Sequence, residues 1–345
     1  MSQQPGHART RIAIIGAGAV SDYHHVPGIR LDPRAELVAA CDSSESLLEQ
    51  RKSEWSIDRV TTDYREICED PDIDAVIIAT PNFTHCPMAV AAAEAGKHVM
   101  TEARMARTAA EARQMLACSQ EHPELITQIV PSPFAFFCTD YVRNLIDDGF
   151  LGQLRELVVI GADDGFHDVQ APLHWRQDRD ISGLNVLAMG ILHEAALRWA
   201  PDPTRVFAQM TTFAPDRPDG VATIADSVQV MTEIQGGARG LYHLSGIGLF
   251  GPGFHLHLYG SHGTIRVDLG AGTLMIGTVG DEALHQPNIP EEQQGGWRVE
   301  DEFIGAIRGT ETIRLTDFAT GVKYMEFTEA VAQSAESNLP VDLPI

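Results

Sequence analysis

The chain has 345 residues, 44% of them hydrophobic and 21% charged, and its 48 acidic residues outnumber 25 basic ones for a formal charge of -23. That length exceeds one comfortable hydrophobic core, so two domains are expected, and the charge repels phosphate backbones and anionic membranes, which sets both aside as partners. No apolar run nears the roughly 18 residues of a membrane span, and "MSQQPGHART" lacks the apolar core of a signal peptide, so a cytoplasmic protein is expected.

From Arg11 to about Val130, short apolar runs alternate with helical patterns, as parallel strands joined by crossover helices do. The strands are "RIAIIG", "ELVAACD", "DAVIIAT", "KHVMTE" and "LITQIV"; the helices are "SESLLEQRKSEW", "HCPMAVAAAEAG" and "TAAEARQMLACSQE". Thr108 and Glu111 have capping-box spacing, and Gly96 suits a helix stop. The five cysteines, Cys41, Cys68, Cys86, Cys118 and Cys138, contain no C-x-x-C pair and are expected reduced and mostly buried, without a disulfide framework or thiolate zinc site.

After residues 130–134 the texture changes. One helix, "TDYVRNLIDDGFLG", leads into β-rich runs, "LRELVVIGA", "TRVFAQMTTFA", "DSVQVMTEI", "ARGLYHLSGIG" and "GFHLHLYGSHGTIRVDL", joined in part by glycine turns that suit an antiparallel sheet. "GLNVLAMGILHEAALRWA" and "TGVKYMEFTEAVAQSAES" are helices able to cover one face. The expected fold class is therefore α/β: a Rossmann dinucleotide-binding domain over residues 1–128, then an α+β domain over 129–345 with a large, mostly antiparallel open sheet for substrate and oligomer contacts.

"GAGAVS" follows the first strand and puts Gly16, Gly18 and Ser21 on the three positions of G-x-G-x-x-G, with Ala19 and Val20 completing the loop. Glycines there permit a tight turn and close backbone approach to a pyrophosphate at a helix N-terminus. Asp42 ends the second strand 21 positions beyond Ser21, where a carboxylate accepts the adenosine ribose hydroxyls; an ordinary helix N-cap is the other reading. A 2'-phosphate would meet Asp42 with like charge, so NAD is favoured over NADP.

With these residues in place, the chain resembles the GFO/IDH/MocA oxidoreductase family from Arg11 to about Val341. The resemblance also rests on "TPNFTHCPMAVAAAEAGKHVMTE", "LIDDGFLGQL", "HWR", "LYGSHGTIRV" and "GVKYMEFTEAVAQSAESNLPV". It implies a Rossmann domain, a second domain with an open sheet, a homodimer or homotetramer built on that sheet, and hydride transfer between a nicotinamide and a sugar, polyol or related carbinol. It also implies cofactor contacts from Thr80, Pro81, Asn82, His85, Glu102, Trp175 and Arg176.

The proton-transfer residues the resemblance implies are altered. Ala103 stands at the lysine of the E-K-P motif and Arg104 at its proline, while Ala188 and Leu192 stand at the acid and base of D-x-G-x-H. His193, next to Glu194, lies one residue on, and one residue turns a helical side chain by about 100°. Alanine and leucine move no protons, so replacements are sought. His193 could pair with Glu194, Arg104 could steady an oxyanion or form an ion pair with Glu102, and "GADDGFHDVQAPLHWRQD" offers Asp163 and His174. His24 fits a family position where packing is expected. His255 and His257 share a strand face, but no third metal ligand is evident; that face suits an oligomer contact, and no metal is expected.

Three readings follow: an NAD-dependent dehydrogenase of sugar-like substrates, a lyase or hydrolase that recycles tightly bound NAD, or a non-catalytic NAD- or sugar-binding protein.

Overall fold

The computed structural model describes residues 9–345; the first eight residues, on which the reading of a missing signal sequence largely rests, lie outside the described residues. The chain divides into two compact units, Met1–Pro131 with Arg298–Val322, and Ser132–Trp297 with Lys323–Ile345. The single boundary expected after residue 128 lies close to the first crossing, but it leaves out the return of residues 298–322 to the first unit.

In the first unit, β1 (Thr10–Ile15), β2 (Ala35–Cys41), β3 (Arg59–Thr61), β4 (Ala75–Ile78), β5 (His98–Thr101) and β6 (Thr127–Ile129) form one parallel sheet in the order β3-β2-β1-β4-β5-β6. Helices cover both faces of such a sheet, so its central strands read as continuous apolar runs. Ile12 to Ile15 and Ala75 to Ile78 are all buried. The connecting helices are α1 (Val26–Leu31), α2 (Glu45–Glu54), α3 (Tyr64–Glu69), α4 (His85–Glu94) and α5 (Ala109–Glu121). Thr108 caps α5 by accepting the Glu111 N–H, and Gly96, at φ +79, follows the end of α4, both as the sequence predicts. β3 and α3 escape the pattern because a three-residue, half-exposed strand has no periodicity to detect.

The second unit begins with α6 (Thr139–Asp147) and carries an eight-stranded sheet in the order β15-β14-β13-β7-β12-β11-β8-β16. Its strands are β7 (Leu154–Ala162), β8 (Pro203–Thr211), β11 (Ser227–Ile234), β12 (Arg239–Ser245), β13 (Gly253–Gly260), β14 (Gly263–Asp268), β15 (Thr273–Thr278) and β16 (Val341–Asp342), while β9 (Asp216–Arg217) and β10 (Gly220–Val221) form a separate short hairpin. β7 and β12 run parallel and the other neighbours antiparallel, which matches the expected mostly antiparallel sheet.

Alternate residues of these strands bury Leu157, Val159, Val228, Val230, Tyr242, Leu244, Leu256 and Leu258 against two helices, α8 (Met189–Leu197), which follows the short α7 (Arg179–Ser182), and α10 (Phe318–Ser337). α8 starts later than the pattern suggests, after Leu187 in a left-handed conformation at φ +49. Between the two crossings back and forth lies α9 (Val299–Ile307), in the first unit. All five cysteines are free and buried. No described helix is long and apolar enough to cross a membrane.

Candidate cofactor and substrate residues

In the first unit, the strand order reverses at β1 and β4, and open parallel sheets bind ligands beyond the carboxyl ends of their strands at such a switch point. Gly16 turns the chain there at φ +104, where a Cβ would fall 2.4 Å from the Ala79 carbonyl oxygen. Only glycine fits that backbone and that approach. Gly18, Ala19 and Val20 are exposed, and a Cβ on Gly18 would meet nothing within 4 Å, so the loop presents backbone to an open space. Ser21, in the third motif position, is buried and donates its hydroxyl to the Gly16 carbonyl at 2.6 Å, bracing the turn from inside.

Asp42 lies at the end of β2, half-buried. Its Oδ2 accepts the Ala17 N–H at 2.8 Å and its Oδ1 accepts the Ser44 N–H at 2.9 Å. Ser44 caps α2, so the N-cap alternative for Asp42 does not hold. The carboxylate instead sits directly beside the glycine loop.

On the other side of the switch point, the loop after β4 carries Thr80, Pro81, Asn82 and His85. Asn82 donates Nδ2–H to the Arg104 carbonyl at 2.7 Å; His85 Nε2 lies 2.7 Å from the Thr80 carbonyl and its Nδ1 3.1 Å from that of Arg104. Both side chains are buried and tie this loop to the stretch after β5. Burial pushes the His85 imidazole below its ordinary range despite its hydrogen bonds to backbone. Thr80 and Pro81 form the accessible edge.

Arg104 is buried, with 5% exposure, and follows a cis peptide from Ala103. Glu102 meets a histidine: its Oε1 lies 3.0 Å from His25 Nε2, while His25 Nδ1 lies 2.6 Å from Glu300 Oε1 on α9. His25 was not singled out in the sequence. The segment Ser21–His25 is a π-turn, in which the Val26 N–H bonds to the Ser21 carbonyl, and the wider turn brings His25 inside while His24, expected to pack, is exposed.

In the second unit, Leu192 is buried against β7: a Cβ on Gly161 would fall 2.5 Å from Leu192 Cδ1. His193 points elsewhere, as the rotation of one helical step requires. Its ring stacks on Phe327 with centroids 3.8 Å apart, and its Nδ1 meets the Tyr242 hydroxyl at 2.8 Å. Burial, helped by the charge of Lys323, holds its pKa down to about 3. The edge of the ring lines a pocket with Asp202, Pro203 and Gln235, at the end of the sheet opposite Ala162, after which the polar loop begins. This placement corrects the reading of His193 as a proton-transfer residue.

Glu194 is not its partner either. It forms a buried ion pair with Arg198 at 2.7 Å and accepts the Ser132 N–H at 3.1 Å; Arg198 also donates to the carbonyls of Ser132 and Phe134. A buried pair this fully hydrogen-bonded is an anchor for the 132–134 segment.

The loop after β7 keeps its chemistry. Asp163 is half-buried and accepts the Gly165 N–H at 3.0 Å through Oδ1, which leaves Oδ2 for another donor. His174 caps the short 3-10 turn Trp175–Gln177, its Nδ1 accepting the Arg176 N–H at 3.1 Å. That bond assigns the ring proton to Nε2, so the exposed nitrogen is a donor. Arg176 lays its guanidinium over the Trp175 ring at 4.2 Å. His255 and His257 lie with ring centroids 5.8 Å apart, and each has a partner, the Pro252 carbonyl and Tyr259. Among the described residues no group of three or more His, Cys, Asp or Glu side chains could hold a metal.

Comparison with known proteins follows the same division. Residues 10–128 match the model described as an oxidoreductase family with an NAD-binding Rossmann fold, and residues 139–266 match that of the GFO/IDH/MocA C-terminal domain. The chain is 28% identical over 179 residues to levoglucosan dehydrogenase of Pseudarthrobacter phenanthrenivorans, covering 51% of this chain and 46% of that one, so it spans about half the length of that relative. It is 25% identical over 266 residues, 75% of each chain, to myo-inositol 2-dehydrogenase of Thermotoga maritima. A solved levoglucosan dehydrogenase in complex with NADH superposes with a TM-score of 0.88 at 23% identity, over 97% of this chain and 99% of that one, a likeness of fold.

Proposed function

Since the chain belongs to the GFO/IDH/MocA oxidoreductase family, whose first domain is an NAD-binding Rossmann fold, we propose that it is an NAD-dependent dehydrogenase of a sugar, anhydrosugar or cyclic polyol, working with an altered proton-transfer set. The observation that carries the reading is the Asp42 carboxylate held 2.8 Å from the loop amide of Ala17, beside a glycine turn that a side chain would block. The residues present fit NAD: Gly16 and the exposed Gly18 to Val20 backbone take the pyrophosphate, Asp42 takes the adenosine ribose, and Thr80, Pro81 and Glu102 take the nicotinamide half. When bound, NAD supplies the hydride acceptor. Trp175 and Arg176 are further cofactor contacts by family position.

Oxidation of a carbinol also releases the hydroxyl proton, and Ala103, Ala188 and Leu192 cannot accept it. Asp163 fills that role through Oδ2, a half-buried carboxylate oxygen of the loop that its own backbone does not occupy. His174 Nε2–H, in the same loop, steadies the developing oxyanion, since with Nδ1 occupied the ring is a donor there. Supporting a sugar-like substrate are the levoglucosan and inositol dehydrogenases among the relatives.

The test is NADH formation by the full chain across anhydrosugars, inositols and aldoses. Turnover on one of these with NAD is expected, and Asp163→Asn should lower kcat by about a hundredfold or more with little change in NADH affinity. An Asp163→Asn variant with unaltered kcat overturns the assigned base.

A second reading, a non-catalytic NAD- or sugar-binding protein, is favoured by the loss of the proton-transfer positions to Ala103, Ala188 and Leu192. Saturable NADH binding with no turnover on any carbinol of the panel would decide for it. Self-association is the remaining part of the proposal: Phe207, Met231, Leu241 and Val158 are register neighbours across four strands of the sheet face away from α8 and α10, with Met231 and Leu241 about half exposed. A continuous apolar row of that kind suits a second copy of the chain.

A further inference from the structure

We propose that His25 is a positioning residue of the cofactor site, clamped between Glu102 and Glu300 so that the Glu102 carboxylate is held at the carboxyl end of β5 to accept the hydroxyls of the nicotinamide ribose. The inference rests on the NAD reading above and adds to it a device that the glycine motif does not contain.

Three observations on the first unit carry it. Both ring nitrogens of His25 face carboxylate oxygens, Glu300 Oε1 at 2.6 Å and Glu102 Oε1 at 3.0 Å, and the ring is fully buried. Ionised carboxylates only accept, so a ring bonded to two of them holds both protons and a positive charge. Second, a glycine inside the short helix α1 is costly without a reason, and Gly28 has one: a Cβ there would fall 2.4 Å from Glu300 Oε2. The helix is opened to admit that carboxylate. Third, Glu102 is the least enclosed member of the group, its side chain 18% exposed against 2% for Glu300, and its Oε2 is steadied by the Ala103 N–H at 3.1 Å. The clamp therefore has a closed end on α9 and an open end at the strand edge.

Because His25 directly follows the glycine loop in the chain, the clamp joins the pyrophosphate side of the site to the nicotinamide side. His85, whose ring feels the Glu102 charge, bonds to the Thr80 and Arg104 carbonyls, and other charges on these elements have their own partners. Asp22, on the same segment, bonds to Arg51 of α2 and to Trp55 just after it; Asp32 and Asp301 bond to Arg34; Glu302 bonds to Gln128 and Arg314. Burial alone would depress the His25 pKa, but the hydrogen bonds and charges of Glu102 and Glu300 outweigh it and raise the value to about 9. The ring is charged below that pH and the clamp is intact there; it loses a proton, and one of its two bonds, above it.

The experiment is NADH binding by nicotinamide fluorescence from about pH 6 to about pH 10 for the wild-type chain, His25→Gln and Glu300→Gln, with histidine-ring NMR on the cofactor-free protein. The wild type should bind evenly at neutral pH and weaken as pH passes about 9, with the His25 ring titrating at the same pH. His25→Gln should weaken binding about tenfold and abolish that alkaline limb. Glu300→Gln keeps an acceptor for His25 but removes a charge, so the limb and the ring titration should both move down by about one pH unit or more, a shift that a purely structural role does not produce. If His25→Gln fails to fold, Glu300→Gln decides. Wild-type binding with unshifted limbs in both variants, or a His25 ring titrating near 6.5, overturns the clamp; absence of NADH binding by the wild type overturns the dehydrogenase reading instead.

Discussion

Two buried histidines, His25 and His193, have the same side chain and opposite electrostatic surroundings, and neither behaves as a free imidazole. His25 has two carboxylates and is held charged to about pH 9; His193 has Phe327, a phenol and, farther off, Lys323, and is held neutral to about pH 3. The consequences for stability run in opposite directions. The unfolded His193 ring takes a proton near its ordinary 6.5 and the folded ring does not, so its contribution is complete above that pH and lost as pH falls toward 3. His25, raised in the folded state, contributes fully below 6.5 and loses that contribution as pH rises toward 9. Urea unfolding should therefore show a stability maximum near neutral pH, with each group adding a slope of up to about 1.4 kcal/mol per pH unit on its own side. His193→Gln should flatten the acid side and His25→Gln the alkaline side; the reverse assignment, or no change in either, would contradict the surroundings described for the two rings.

At the scale of elements, the sequence was most readable where a strand is long and buried or a turn needs a particular residue. β1, β2, β4 and β5 follow from apolar runs, and Gly16 and Asp42 from spacing. β3 is too short, and α9 gave no separate signal. The site was legible where backbone geometry dictates the residue, and obscure where a turn type decides which side chain goes inward. Nothing in "SDYHHVPG" announces a π-turn, although a helix-interior glycine three residues after His25 hints at close approach. Likewise, the shift from Leu192 to His193 could be read as a rotation, but only the packing on Phe327 reveals where the ring goes. The apolar row across β8, β11, β12 and β7 also needs the register to be seen, because Phe207, Met231, Leu241 and Val158 are scattered in sequence. Leu241→Lys, in the middle of that row, should shift sedimentation toward the monomer while leaving NADH affinity unaltered. An unchanged sedimentation coefficient would contradict self-association through this face.

For the whole molecule, the family's fold has been kept while its usual proton-transfer positions have been emptied. Both domain models match, and the first two glycines of the loop and its acid are present, yet Ala103, Ala188 and Leu192 stand where the resemblance places a lysine, an acid and a base. Cofactor binding and catalysis are therefore separable claims, and the first is the foundation of the second. The measurement that tests it most directly is a fluorescence titration of the full chain with NADH and, separately, NADPH, repeated with Asp42→Ala. NADH should bind saturably, NADPH should bind at least about tenfold more weakly, and the preference should narrow in the variant as the repulsion of the 2'-phosphate is removed. No saturable binding of NADH, from a preparation that releases no nucleotide on denaturation, would contradict it.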